Sequence, residues 1–158
     1  MSSTSAYRPT GAFGLLTRIP DLFGMIPYWL VALTARIAVA QVFWSSAQTH
    51  LASWSTTLYM FADSFKVPLL PPVLAAYMAV TIEVVAPPLL VLGLATRFAA
   101  LVLFGMTMVI EIFVFPQAWP THIQWAAMML MLMTQGAGAL SLDAAIARWI
   151  RPAARPAR

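Results

Sequence analysis

Long apolar runs constrain the fold of this chain more than any other feature of its sequence. A helix that crosses a bilayer requires roughly 20 mostly apolar residues, and the segments that reach or approach that length are Trp29–Ala52, Val73–Leu94, Phe98–Phe115 and Ile123–Leu140. Only 9% of the 158 residues are charged, whereas soluble domains carry about 25%. So few charged groups could not cover the surface of a soluble protein of this size. The sequence therefore predicts an all-α integral membrane protein, and its four apolar segments predict a four-helix bundle.

Prolines and glycines mark the ends of these helices. Pro72 suits the first turn of the second helix, where its missing N–H costs nothing. Pro116 ends the third helix, Pro120 opens the fourth, and Gly136 loosens the end of the fourth. We expect one membrane domain, residues 28–140, between a cytoplasmic or interfacial N-terminal segment, residues 1–27, and a basic cytoplasmic tail, residues 141–158.

Two pieces outside the spans are typical of short helices that lie in the headgroup layer. The segment SLDAAIARWI places Leu142, Ala145, Ile146 and Trp149 on one face, with arginines around the other, which is the pattern of an interfacial helix. Aromatic residues cluster in the first outer connection, WSTTLYMFADSFKVPLLPP, and predict a second short helix that rests on the outer surface.

The distribution of arginine and lysine predicts the orientation, since cytoplasmic loops carry an excess of both. The arginines at the termini and in the second turn are Arg8, Arg18, Arg97, Arg148, Arg151, Arg155 and Arg158. The other two connections carry only Lys66. Both termini and the Thr96–Arg97 turn are therefore expected on the cytoplasmic side. These arginines lie beside apolar segments, so anionic lipid headgroups, and not nucleic acid, are the expected partners of the net charge of +4.

Arg36 and Glu83 lie within the first two predicted spans. An isolated charge at mid-span costs at least about 2.5 kcal/mol, so such groups are normally paired or functional. Counted from the inner helix ends at 1.5 Å per residue, Arg36 lies about 10 Å deep and Glu83 about 16 Å deep. The sequence therefore predicts an intramembrane pair between them. The pair would either fix helix register, as buried pairs can, or hold a ligand or proton.

A second polar cluster is predicted near the outer end of the bundle, around Glu111. The third span carries Glu111 about 20 Å from its inner end, and its expected partners at that height are Gln48, His50, His122 and Gln124. A carboxyl group beside an imidazole can pass a proton or hold a metal, which makes His50, His122 and Glu111 the candidate metal ligands. The alternative is that His122 only caps the fourth helix.

Tryptophans and methionines supply a candidate ligand wall. Trp44, Trp119 and Trp125 should lie near the outer interface, where indoles are common, and they could also face a flat ring such as a quinone. Met128 and Met131 share one face of the fourth span with Gln124 and Gln135. Thioethers bind Cu(I), but methionine is also an ordinary filler of irregular cores. The sequence has no cysteine, which excludes disulfides and thiolate metal sites.

Several stretches resemble the DoxX family of small bacterial four-span membrane proteins. They are RIAVAQVFWSSAQTH, TIEVVAPPLLVLGLATRFAAL, FPQAWPTHIQWA and GAGALSLD, and together they span roughly residues 36–143. The resemblance implies a compact four-helix fold in the bacterial inner membrane, often an accessory of redox or metal-related systems, with one branch linked to quinone-coupled thiosulfate oxidation. Many relatives have a Ser–Gly pair and then a lysine where this chain has Ser46, Ala47 and then His50. Many have glutamine or an apolar residue where it has Glu111.

Three functions follow as hypotheses, and the sequence identifies no catalytic residue for any of them. The first is a non-catalytic subunit of a quinone-linked oxidoreductase system, which binds quinone or relays protons for a partner enzyme. The second is an accessory for copper handling or peptide maturation. The third is an assembly factor without a small ligand. Each implies contact with other proteins of the same pathway or with further copies of the chain.

Overall fold

The computed structural model describes residues 23–150, and this part of the chain consists of helices joined by turns and short loops, without a strand. Its α-helices are α1 (Tyr28–Ala52), α2 (Trp54–Met60), α3 (Pro72–Leu92), α4 (Thr96–Val109), α5 (Trp119–Gln135) and α6 (Leu142–Ile150). Helix α2 continues into a π-helical turn, Phe61–Phe65, and α4 continues into another, Ile110–Val114. A short 3₁₀ turn, Pro116–Ala118, precedes α5. The orientation arguments that rest on Arg8, Arg18, Arg151, Arg155 and Arg158 lie outside the described residues.

The predicted class, an all-α membrane protein, is confirmed. Helices α1, α3 and α4 with its π-helical turn are each long and apolar enough to cross a bilayer. Helix α5 has 17 residues, which is about the lower limit for a spanning helix. It begins at Trp119 and ends at Gln135, so it is displaced toward the N-terminus from the predicted segment, residues 123–140. Both predicted short helices form, as α2 and α6.

The helix core is built from small and aliphatic side chains. Its buried members are Ala32, Ala35, Val39, Ala40, Phe43, Ala86, Leu90, Ala99, Ala100, Leu103, Met129 and Leu132. Alanines at helix contacts allow the backbones to approach closely, which is the usual way that helices associate in lipid. Helix α1 packs mainly on α3, and α4 packs mainly on α5.

Helix α3 contains two prolines in its interior, which the prediction from sequence left out. Pro87 and Pro88 lie inside the helix, four residues after Glu83 and Val84. Because proline has no N–H, it cannot donate the bond that would normally reach the carbonyl four residues earlier. The backbone carbonyls of Glu83 and Val84 therefore lack their usual helical donors. Glu83 is also the one acidic residue of this helix.

The end of the bundle that carries the α3–α4 turn is called the inner end here, following the predicted orientation, and the opposite end is the outer end. At the inner end, Asp143 ties the start of α6 to this turn. Its carboxylate accepts hydrogen bonds from the backbone N–H groups of Ala95 (2.8 Å) and Thr96 (3.0 Å). Its own N–H donates to the Gly93 carbonyl at 2.9 Å. Asp143 thus caps α4 from a distant part of the chain.

Replacing Asp143 with alanine should lower the free energy of unfolding by about 1–2 kcal/mol, because loss of a helix cap typically costs about that much. The apparent Tm of the purified protein in a mild detergent measures the effect. Asp63→Ala is the matched control, since Asp63 is exposed and only accepts a 3.4 Å hydrogen bond from Tyr59. Equal shifts for the two variants would contradict the assigned role of Asp143.

Candidate ligand cavity between two carboxylate–histidine pairs

A cavity of about 510 Å³ lies in the outer half of the bundle. Its walls come from α1, α3, α4 and α5, and the segment from Met60 to Leu70 contributes on the outer side. Almost all of its lining is apolar, and the polar side chains that reach it are Ser46, His50, Glu83 and His122. A largely apolar pocket of this size with a few convergent polar groups is typical of small-molecule binding sites.

Glu83 forms the first carboxylate–histidine pair of this cavity. Its Oε2 lies 2.8 Å from Nδ1 of His50, and its Oε1 accepts a 2.8 Å hydrogen bond from the Ser46 hydroxyl. Ser46 and His50 are one turn apart on α1, so both face the same point of α3. The Glu83 side chain is only 2% exposed. Both carboxylate oxygens of the buried Glu83 therefore have hydrogen-bond partners, and neither partner is an arginine.

The predicted pair between Arg36 and Glu83 is wrong. Both side chains are buried, but Arg36 donates from Nη2 to the Leu140 carbonyl at 2.9 Å, and its Nε and Nη1 have no partner among the described residues. Arg36 packs against Gly93, just beyond the end of α3, whereas Glu83 lies ten residues earlier in the chain. Ten residues of helix separate the two levels by about 15 Å.

The physical reason for this error is the register of the first two long helices. The prediction aligned the inner ends of the two spans. In the structure α1 begins at Tyr28, eight residues before Arg36, while α3 ends at Leu92, beside the level of Arg36. Helix α1 therefore extends about 12 Å beyond α3 at the inner end. Glu83 is consequently level with Ser46 and not with Arg36.

Glu111 forms the second pair, with His122. Its Oε2 lies 2.6 Å from Nδ1 of His122, which confirms the predicted contact between these two residues. Glu111 belongs to the π-helical turn after α4, and His122 lies in the first turn of α5. Single π-helical turns inside helices occur often at functional sites. The Glu111 side chain is 12% exposed, so this pair is less deeply enclosed than the first one.

The other residues predicted around Glu111 do not join it. His50 contacts Glu83 instead. Gln48 is exposed, and Gln124 is exposed and donates to the Pro120 carbonyl one turn earlier. The outer polar cluster is therefore two separate pairs, and the described residues contain no group of three or more histidine, aspartate or glutamate side chains placed to hold a metal ion. The candidate metal ligands His50, His122 and Glu111 do not form one set.

Of the predicted ligand wall, only Trp125 lines the cavity. Its ring packs against Phe43 and against His122, with ring centroids 6.0 Å and 5.1 Å apart. Trp44 and Trp119 are exposed on the outside of the bundle. Met128 and Met131 pack against the buried core, as filling residues do. The methionine face and the histidines are therefore separate features.

Residues of the first outer connection, for which the sequence predicted only a surface helix, close the outer side of the cavity. Phe61 is buried and packs edge-on against His50 and against Phe65, with ring centroids 5.9 Å and 5.0 Å apart. Phe65 in turn packs edge-on against Phe115 after α4. Ser46 was also missed as a site residue, although its spacing of four from His50 was a readable sign of one polar helix face.

The two pairs can exchange protons with a bound molecule. An ionised carboxylate only accepts hydrogen bonds, so a histidine that faces a carboxylate in that state carries its proton on Nδ1 and leaves a lone pair on Nε2. When Nε2 gains a proton, the carboxylate stabilises the resulting imidazolium through a charge-assisted hydrogen bond. Each pair can therefore accept a proton from a hydroxyl group and, once its imidazole is charged, donate one to a carbonyl oxygen.

Comparison with known proteins gives the family. A family model described as DoxX matches residues 31–116, more than half of the 158-residue chain. The chain belongs to the DoxX family. No curated protein and no solved structure is significantly similar to it. The resemblance read from the sequence is thus confirmed at the level of the family.

The matched region of this DoxX protein contains one complete carboxylate–histidine pair and half of the other. Ser46, His50, Glu83 and Glu111 lie inside residues 31–116, whereas His122 lies beyond the match. The closing GAGALSLD stretch of this DoxX protein also lies beyond it, and its Asp143 is the residue that caps α4. The family match therefore supports the membrane helices but does not extend to the second histidine.

Proposed function

We propose that this DoxX protein binds a quinone or quinol ring in its outer cavity and exchanges protons with it through the two carboxylate–histidine pairs. The observation that carries the proposal is that one apolar cavity of about 510 Å³ is lined by His50 and His122, each held by its own glutamate. A flat ring with an oxygen at either end fits a site whose walls are apolar and whose polar groups come from different helices.

The chemistry of a quinol requires a proton acceptor at each hydroxyl group when the ring is oxidised. His50 with Glu83 would serve one oxygen, and His122 with Glu111 would serve the other. Histidine titrates near neutral pH and is the usual side chain for such transfers. The electrons would pass to a partner redox enzyme, and this DoxX protein would be the subunit that holds the ring and moves its protons.

The proposal places the chain in a bacterial inner membrane with both termini in the cytoplasm. The cavity would then lie in the leaflet away from the cytoplasm, and protons released by quinol would leave on the outer side. Helix α6 would lie along the cytoplasmic headgroups, since its apolar residues Leu142, Ile146 and Trp149 are exposed and form one face. Proteins of the same pathway, or further copies of the chain, would bind around the bundle.

Purification in a mild detergent, followed by organic extraction and mass spectrometry, tests this function. The unaltered protein should carry stoichiometric quinone. The double variant His50→Leu and His122→Leu should retain at most about a tenth of it, because the ring binds as quinol and each lost histidine removes a hydrogen bond of about 1.4 kcal/mol from one of its hydroxyl groups, which weakens binding tenfold. The matched control is Gln48→Leu with Gln124→Leu, which removes exposed polar groups two residues from each histidine and should leave the quinone content unchanged.

Three other results would count against the proposal. Stoichiometric copper without quinone would favour the metal-handling hypothesis, and the absence of both would favour an assembly factor without a small ligand. Equal quinone contents in the histidine and glutamine double variants would show that the quinone is bound elsewhere on the protein.

A further inference from the structure

The exposed part of the cavity lining is small and comes from two helices and the chain next to their outer ends. Among its lining residues, the exposed ones are Leu70, Met78, Val109 and Phe115, and all the others are buried or half-buried. Met78 lies in α3, and Val109 is the last residue of α4. Leu70 lies two residues before the start of α3, and Phe115 directly follows the π-helical turn after α4. Met78 and Val109 therefore lie on the two helices of the seam between α3 and α4, and Leu70 and Phe115 lie in the chain next to the outer ends of these helices.

Met78 and Val109 lie at the same height on the two sides of this seam. Met78 is 15 residues before Gly93, and Val109 is 14 residues after Ala95, so both lie roughly 21–23 Å from the inner turn at 1.5 Å per residue. The Glu83 carboxylate lies one to two turns closer to the inner end than Met78. The exposed edge of the cavity is thus beside its polar groups and within the apolar length of both helices.

The composition of the seam indicates which solvent it faces. The four exposed lining residues are all apolar, with Met78 46% and Val109 38% exposed. On the outer side, Phe61 is buried and packs edge-on against Phe65, which in turn packs against Phe115 at the outer end of the seam. Asp63 and Lys66, the charged residues of this outer connection, do not line the cavity. The open side therefore faces acyl chains, and the aromatic cluster lies between the cavity and water.

We infer that the seam between α3 and α4 is a lateral portal, through which the ligand enters from the bilayer and along which its apolar chain lies when the ring is bound. This inference rests on the proposed function and narrows its substrate class to ring compounds that carry a long apolar chain. A chain of that kind would contact Met78 and Val109 and continue into the lipid. A water-soluble ring without a chain would leave the portal empty.

Tryptophan substitution in the portal tests the inference with two probes, decylubiquinone and the corresponding benzoquinone without a chain. Binding to the purified protein is measured by calorimetry or by tryptophan quenching. Val109→Trp should weaken decylubiquinone binding at least tenfold, which corresponds to about 1.4 kcal/mol, because the larger side chain fills the space of the alkyl chain. The chainless probe should change less than threefold.

Matched controls separate a portal from a general disturbance. Ile112→Trp changes an exposed apolar residue of the same helical segment that does not line the cavity, and it should alter neither probe. Met78→Trp obstructs the portal from α3, with Val85→Trp as its exposed, non-lining control, and it provides an independent reading if Val109→Trp does not fold. A tenfold selective loss in either portal variant supports the inference.

The possible failures are distinguishable. If neither probe binds the unaltered protein, the proposed function itself fails and the portal with it. If both probes bind but the portal variants weaken them equally, these residues only border the ring site and the portal is refuted. If decylubiquinone binds all portal variants as tightly as the unaltered protein, the chain leaves the cavity by another route, and the inference is likewise refuted.

Discussion

Replacement of Glu83 with glutamine is expected to weaken the binding of a quinol at least tenfold, while binding of the same ring in its quinone form is not weakened. The ionised carboxylate keeps the proton of His50 on Nδ1 and so makes Nε2 an acceptor for a quinol hydroxyl. Glutamine has nearly the same shape, but its amide is neutral and can donate to Nδ1, which places the proton on Nε2 and turns it into a donor. A quinone carbonyl gains that donor, whereas a quinol hydroxyl loses its acceptor.

The magnitude follows from the hydrogen bond that is lost. A buried hydroxyl group left without its acceptor costs about 1–3 kcal/mol, and about 1.4 kcal/mol corresponds to a factor of ten in affinity. Calorimetric titration with decylubiquinol and decylubiquinone, under reducing and oxidising conditions respectively, gives the ratio directly. Unchanged quinol affinity in Glu83→Gln would contradict the role assigned to this pair.

A structural effect of this substitution must be kept apart from its effect on binding. Glutamine can satisfy both neighbours of Glu83, since its oxygen can accept from one and its amide can donate to the other. The apparent Tm should therefore change little in Glu83→Gln. Glu83→Leu, in contrast, leaves the Ser46 hydroxyl and His50 Nδ1 unpaired inside the bundle, at about 1–3 kcal/mol for each buried group. Comparing the apparent Tm and the quinol affinity of Glu83→Gln and Glu83→Leu shows how much of a loss in affinity is caused by destabilisation of the fold.

The membrane class and the helix positions were predictable because they depend on local properties of the chain. Apolar length defines a membrane helix whatever its neighbours are, and prolines and glycines mark its ends. The contact between Glu111 and His122 was predictable for a related reason. These residues are 11 apart in the chain and lie on either side of one short connection, so they must come to the same end of the bundle.

The partner of Glu83 was not predictable in this way, because it depends on the register between two helices. His50 and Glu83 are 33 residues apart and belong to different helices, whose relative height is set by packing. The sequence shows where each apolar segment begins and ends, but not that α1 extends beyond α3 at the inner end. An error of two helical turns was enough to assign Arg36 to Glu83 in place of His50.

The cavity itself was missed for a further reason. Its outer side is closed by Phe61 and Phe65 in a π-helical turn, and Glu111 lies in another such turn. A π-helical turn has no hydrophobic period that differs clearly from that of an α-helix over five residues. The sequence predicted an aromatic surface helix in the first outer connection, whereas in the structure these aromatic residues form part of the site.

Replacement of Gly93 with alanine is expected to lower the free energy of unfolding by about 2–5 kcal/mol. Gly93 has φ +67°, and the left-handed conformation costs other residues roughly 1–2 kcal/mol. A β-carbon there would also overlap the Arg36 guanidinium and contact the Ser141 side chain at 2.5 Å, and overpacking of this kind typically costs about 1–3 kcal/mol. Thermal unfolding in detergent should show an apparent Tm at least about 5 °C lower, whereas Gly105→Ala, which has open space around it, should not be destabilised.

A double-mutant cycle distinguishes the two causes of this loss. If collision with Arg36 contributes, Gly93→Ala should cost at least about 1 kcal/mol less in an Arg36→Ala background than in the unaltered protein, since residues in direct contact show coupling energies of about 0.5–3 kcal/mol. The conformational cost of φ at residue 93 is the same in both backgrounds and cancels. Additive effects would mean that the Arg36 side chain moves away from a β-carbon at residue 93 at little cost, and that the overlap with Ser141 accounts for the packing part of the loss.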